Sequence, residues 1–278
     1  MTKREEPLIK TNAKIDPFHD LYYWLILLRW PSFVGILMLF FLILNLIFGG
    51  IYYLIGGLAN GGTGFADHFF FSVHTLATVG YGHVFPQSIL ANTVAAIEII
   101  LGLFMMALMT GLLFAKFSRP SARIIFSRNA VIHKRNGIDC LVFRVANKRD
   151  HYIAEASLNV VALKKDITPE GDSMRKLYTL NLERAQTPLF VLSWMVIHQI
   201  TPDSPLYGLT AQDMIDGDVR VLLSLTGHDS VLGQTMHARH IYQADQVKFG
   251  YRLKDALKTL EGTLHLDFDV FHEIEAVG

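Results

Sequence analysis

The chain has 278 residues, equal numbers of acidic and basic side chains (25 of each) and a single cysteine, Cys140. That length admits one or two domains, the zero net charge gives no electrostatic footprint for nucleic acid, and one thiol rules out an intrachain disulfide and suits a reducing compartment. Apolar residues make up 51% of the chain and concentrate in its first 118 positions, whereas the rest has ordinary soluble composition.

In chain order, residues 1–29 begin with a charged stretch lacking the apolar core and small-residue cleavage site of a signal peptide. They end in "DPFHDLYYWLILLRW", whose acidic start, aromatic body and Arg-Trp end suit a short interfacial helix. Pro31 favours a break between that helix and the next. Residues 30–58 contain no charge and exceed the roughly 20 apolar residues needed to cross a bilayer. A second apolar run, 89–117, carries one acid, Glu98. The connection between them has no Lys or Arg, whereas Arg29 precedes the first run and Lys116, Arg119, Arg123 and Arg128 close the second or follow it. The positive-inside rule therefore expects both termini in the cytoplasm, with two spans between them.

Within that connection, residues 66–77 read as a helix too short to span, followed by Thr78-Val79-Gly80-Tyr81-Gly82 and His83. Irregular backbone at membrane depth is tolerated only when buried in protein or lining a watery path. A cation stripped of water needs replacement oxygens, and successive carbonyls can supply them if they point to one side. Gly80 and Gly82 permit the positive φ this requires, Thr78 adds a hydroxyl, and Val79 and Tyr81 can wedge outward.

This run, in this position, resembles the potassium-channel superfamily, and "LLFAKFSRPSAR", "RVANKRDHYIAEASLNVVAL", "HQITPDSPLYGLTAQDM" and "GQTMHARHIY" are similar to the prokaryotic inward-rectifier family. Potassium selectivity is what that resemblance implies, the run being the well-known potassium-filter loop; the residue types by themselves indicate only a site for a dehydrated cation. The resemblance implies a membrane α pore domain (30–118) built from two transmembrane helices, a pore helix and a slide helix, with four chains around one axis. Leu103, Met106, Thr110 and Phe114 recur at helical spacing on one face; the resemblance implies that this face lines the cavity and that Phe114 forms the constriction. Gly102 and Gly111 are candidate hinges, though small residues equally serve close helix contact. Met106 stands where strong rectifiers carry an acid, so weak block by polyamines is expected. Glu98 lies about 160° around the helix from Phe114, away from the pore line, where it anchors the pore helix or filter from behind. Arg29, Lys116, Arg119 and Arg123 are candidate contacts for anionic lipid headgroups.

After a linker over 119–130, residues 131–278 change pattern. Short segments rich in β-branched and aromatic residues alternate with turn signals such as "KRNG" and "DSPLYG", the signature of a C-terminal all-β, immunoglobulin-like sandwich. Thr210 caps one short helix. By resemblance this domain is cytoplasmic, and the loop carrying Gly227, His228, Asp229 and Gly233 forms a second constriction; a plain hairpin turn is the other reading. His237 and His240 on one strand would face opposite sides, a poor chelating geometry.

These features together indicate a homotetrameric, passive potassium channel of a bacterial inner membrane, gated from the cytoplasmic side and modulated by anionic lipid. No catalytic residue, metal site or cofactor is expected beyond K+ as the permeant ion. The alternative is a membrane-anchored sensor whose β domain recruits a partner. His74 and His83 depart from the family, which usually carries Glu and Asp there. They serve either as neutral hydrogen-bonding substitutes or as titrating groups that lower conductance as external pH falls.

Overall fold

The computed structural model describes residues 21–118, 123–168, 170–231 and 233–277, which fall into two compact units. The N-terminal twenty residues, the candidate lipid contact Arg119 and the first part of the expected 119–130 linker lie outside the described residues.

The first unit is helical. Helix α1 (Leu21–Leu27) stops two residues short of α2 (Trp30–Ile55). Arg29, in extended geometry, precedes the second helix, and Pro31 sits in its first turn, where a missing N–H costs nothing. The first span was expected to run to Leu58 but ends at Ile55. Gly56 and Gly57 adopt φ of 65° and 80°, which ends the helix. The next residues, Leu58–Ala59 (β1), then pair antiparallel with Phe85–Pro86 (β2). Helix α3 runs Phe65–Leu76, one residue earlier at each end than the 66–77 expected. Helix α4 runs Ile89–Phe117, its first turn closed by Ser88 Oγ, which accepts from the Ala91 amide at 3.1 Å. With 26 and 29 residues, α2 and α4 are long and apolar enough to cross a membrane.

The three long helices meet around a small buried cluster of Phe48, Tyr52, Phe71 and Ala95. Gly49 makes the α2–α3 approach possible, because a Cβ there would stand 2.9 Å from the Phe69 Cα. Much of the remaining helix surface is exposed apolar side chain, including Leu54, Ile89, Phe104 and Leu108. Apolar surface on this scale requires lipid or further chains to cover it.

The second unit is a two-layer β-sandwich. One sheet joins β3 (Ile124–Phe126), β4 (Ala130–Arg135), β5 (Ile138–Asn147), β9 (Ser193–Gln199) and β12 (Val247–Phe249); β5 is its centre and β12 its one parallel addition. The other joins β6 (Ile153–Ile167), β7 (Ser173–Thr179), β8 (Gln186–Phe190), β10 (Arg220–Asp229) and β11 (Thr235–Tyr242). Alternate residues of β6 and β10 turn inward. Their Leu158, Val160, Leu223 and Leu225 share one core with Leu141, Phe143 and Val145 of β5, closed by Trp194 and Tyr242. Helix α5 (Ala211–Asp216) is capped by Thr210 through a reciprocal pair with Asp213. Two short strand pairs complete the unit: β13 (Tyr251–Leu253) pairs with β16 (Ile274–Ala276), and β14 (Leu257–Leu260) with β15 (Thr263–Leu266).

The β fold starts earlier than the 131 boundary expected. Ile124–Phe126 is already a strand on Val145–Asn147, and Ala130 opens β4, so most of the described part of the 119–130 segment belongs to the sandwich. Three consecutive apolar residues there need a partner, and β5 supplies one.

Candidate functional site

Helix α3 carries the site because its C-terminal carbonyls hold the next five residues. The amides of Val79 and Gly80 both donate to the His74 carbonyl (2.8 and 3.2 Å), and the Thr78 amide donates to that of Thr75 (3.0 Å). These bonds satisfy carbonyls that a helix end otherwise leaves orphaned, and they fix where the following strand begins. Along that strand φ is positive at Thr78 (58°), Gly80 (55°) and Gly82 (75°), and not at Val79 or Tyr81. A left-handed residue at every second position turns the intervening peptide units, so that carbonyls can gather on one side. The two glycines accept this freely; the β-branched Thr78 does so at a cost of about 1–2 kcal/mol. Val79 and Tyr81 are 52% and 74% exposed, so this chain by itself leaves their outer faces without a wall.

Behind the strand lies a polar network inside otherwise apolar helices. Glu98 of α4 is completely buried. It accepts from the Tyr52 hydroxyl of α2 at 2.7 Å and from the Ser72 hydroxyl of α3 at 2.5 Å. Asn45 places its amide oxygen 3.1 Å from Ser72 Oγ and donates its NH2 to the Phe41 carbonyl (2.7 Å). A buried carboxyl group persists only when its oxygens are partnered, and here the partners come from both neighbouring helices. Glu98 thus stands behind α3, on the side its spacing indicates. Tyr52, Ser72 and Asn45 went unnoticed in the sequence, although an acid in a span signals that a partner must exist.

His74 packs its ring edge-on against Tyr81, with centroids 4.8 Å apart. His83 is exposed immediately after Gly82, and both histidines line one recess with Asp67. At Gly102 an added Cβ would run into the carbonyl of Leu76, so the glycine allows α4 its close approach to the end of α3. Gly111 has open space around it. Leu103, Met106, Thr110 and Phe114 are all exposed along α4, Phe114 by 73%.

Of the candidate lipid contacts, Lys116 is placed differently from the expectation. Its side chain is buried, and its ammonium donates to the carbonyls of Ile26 (3.0 Å) and Leu28 (2.7 Å) while lying over the rings of Phe33 and Trp30. Its rotation around α4 turns it onto α1, leaving it no open face for a headgroup. Arg29 and Arg123 are exposed.

Strands β10 and β11 pair antiparallel, and where β10 ends the Gly233 amide donates to the Asp229 carbonyl (2.9 Å). Gly227 lies inside the sheet, where a Cβ would meet the backbone of Ala154 and Ala156 at 3.3 Å. Asp229, only 4% exposed, accepts from the Val231 amide (2.9 Å) and lies 3.0 Å from His151 Nε2. It braces the turn from within, whereas His228 stays exposed.

Comparison with known proteins agrees with this arrangement in both units. The family model described as "Inward rectifier potassium channel C-terminal domain" matches residues 124–278, and "Ion channel" matches residues 40–119. The inward rectifier potassium channel Kirbac3.1 of Paramagnetospirillum magnetotacticum is 37% identical over 93% of this chain and 88% of its own length. The mouse G protein-activated inward rectifier potassium channel 3 is 31% identical over 91% of this chain and 71% of its own. The chicken ATP-sensitive inward rectifier potassium channel 12 is 30% identical over 91% and 65%.

Proposed function

The chain belongs to the inward rectifier potassium channel family, and on that premise we propose that four copies assemble around one axis into a passive potassium pore closed by its inner helices. The observation that carries the reading is the alternation of left-handed backbone at Thr78, Gly80 and Gly82, held to the end of α3 by the His74 carbonyl. Four such strands facing an axis replace a potassium ion's hydration shell with carbonyl oxygens. The exposed Val79 and Tyr81 support the same assembly, since a neighbouring chain supplies the missing wall.

Conduction runs through a cavity lined by Leu103, Met106 and Thr110 and closes at Phe114, where four phenyl rings dewet the passage. Met106 gives polycations no carboxylate to bind, so spermine applied to the β-domain side blocks weakly. Arg29, Arg119 and Arg123 take anionic headgroups, with the chain in a bacterial inner membrane and both termini in the cytoplasm. Barium-sensitive rubidium uptake into liposomes tests the reading: uptake is expected from the parent and lost in Gly80→Ala. No uptake by the parent in vesicles with or without anionic lipid overturns it.

A further inference from the structure

Helix α1 is seven residues long, and no continuing helix follows to donate amides to its final carbonyls. Lys116, ninety residues after Ile26 and the last but one residue of α4, supplies the missing donor. Two of its N–H groups go to Ile26 and Leu28, and its charge lies 4.7 Å from the Phe33 centroid and 5.2 Å from that of Trp30. A cation at a helix C-terminus and over aromatic faces is favourable on both counts. Trp30 also packs on Phe117, their centroids 4.5 Å apart, so the last turn of α4 rests on the start of α2 as well. Phe114 is two residues from Lys116 on the same helix.

We infer that Lys116 is a positioning residue for the gate: a latch fastening the C-terminus of α1 to the last turn of α4, through which displacement of α1 is passed to Phe114. This rests on Phe114 being the constriction. It assigns Lys116 a mechanical role in place of direct headgroup contact. Because both carbonyls accept from one ammonium, the two helices cannot separate without exposing two acceptors and a buried charge.

The test has an arm independent of conduction. Hydrogen exchange of the full-length protein in lipid nanodiscs is followed in the peptide covering residues 21–29. Lys116→Met is expected to speed exchange there roughly ten-fold while leaving α3 unchanged, and Lys116→Arg, which keeps the donors, to restore much of the protection. Unchanged exchange in Lys116→Met overturns the latch. In the second arm, Trp24→Ala on α1 is expected to alter rubidium flux several-fold in the parent and not in Lys116→Met, the non-additivity of a coupled pair. Equal effects in both backgrounds, or none in the parent, overturn the coupling. Should Lys116→Met fail to assemble, methylation of the parent decides: Lys116 should react far more slowly than exposed lysines such as Lys134, and equal rates overturn the latch. A parent that conducts nothing defeats the channel reading, while the exchange arm still reports on the latch.

Discussion

Ser72 on α3 donates its hydroxyl proton to Glu98 on α4 across 2.5 Å, and Tyr52 on α2 reaches the other carboxyl oxygen at 2.7 Å. One carboxyl group therefore joins all three long helices, directly behind the helix that holds the Thr78–Gly82 strand. Glu98→Ala leaves the buried Tyr52 hydroxyl without its acceptor, at about 1–3 kcal/mol, and Ser72 with only the Asn45 amide oxygen 3.1 Å away. It should lower the temperature at which the assembled protein dissociates, read by gel filtration after heating, and reduce flux with it. Glu98→Gln keeps one acceptor oxygen and should fall between parent and Glu98→Ala. Equal assembly of all three would remove the network from the account.

The two inner-helix glycines should respond differently to one added methyl. Gly102→Ala drives a Cβ into the Leu76 carbonyl, just before the Thr78–Gly82 strand, whereas Gly111→Ala meets nothing within 4 Å. Overpacking costs typically about 1–3 kcal/mol, so Gly102→Ala should cut rubidium flux by roughly ten-fold or more. Gly111→Ala should stay within about two-fold of the parent. The reverse order would mean that flexing at Gly111 governs conduction and that the close contact at Gly102 does not.

The β domain should lose stability in mild acid. His198 is 3% exposed, with Nδ1 on the Asn181 carbonyl (2.7 Å) and Nε2 on Ser204 Oγ (2.8 Å). Desolvation holds its pKa below the ordinary histidine value in the folded domain, partly opposed by the Asn181 carbonyl. The unfolded chain then binds the extra proton first, so stability is full above roughly pH 6.5 and falls as pH drops toward the folded-state value. Melting followed through the buried Trp194 should shift down between neutral pH and about pH 5, and less steeply in His198→Gln. Identical pH slopes would show that other groups carry the effect.

What the sequence disclosed and what it withheld divide along a physical line. The Thr78–Gly82 strand was legible because positive φ at alternate positions is local information, written as glycine spacing. The spans and the sandwich were legible because hydropathy and alternation are periodic. The partners of Glu98 lie 26 and 46 residues away, and which hydroxyl meets it depends on how three helices rotate against each other. Lys116 reads as lipid-facing among the nearby Arg119 and Arg123, yet α4 turns it onto the α1 carbonyls. Gly102 reads as a flexing point, and only the folded chain shows the Leu76 carbonyl against it. At Gly56 the chain leaves the helix because two consecutive positive-φ glycines outweigh the apolar run that continues through Leu58.

The central claim is that four Thr78–Gly82 strands form the conducting element, and rubidium uptake into liposomes by the parent and by a chain with D-alanine at position 80 tests it most directly. D-alanine accepts the positive φ that L-alanine resists, so the account predicts barium-sensitive uptake with D-alanine and none with Gly80→Ala. Uptake by Gly80→Ala equal to that of the parent would contradict it.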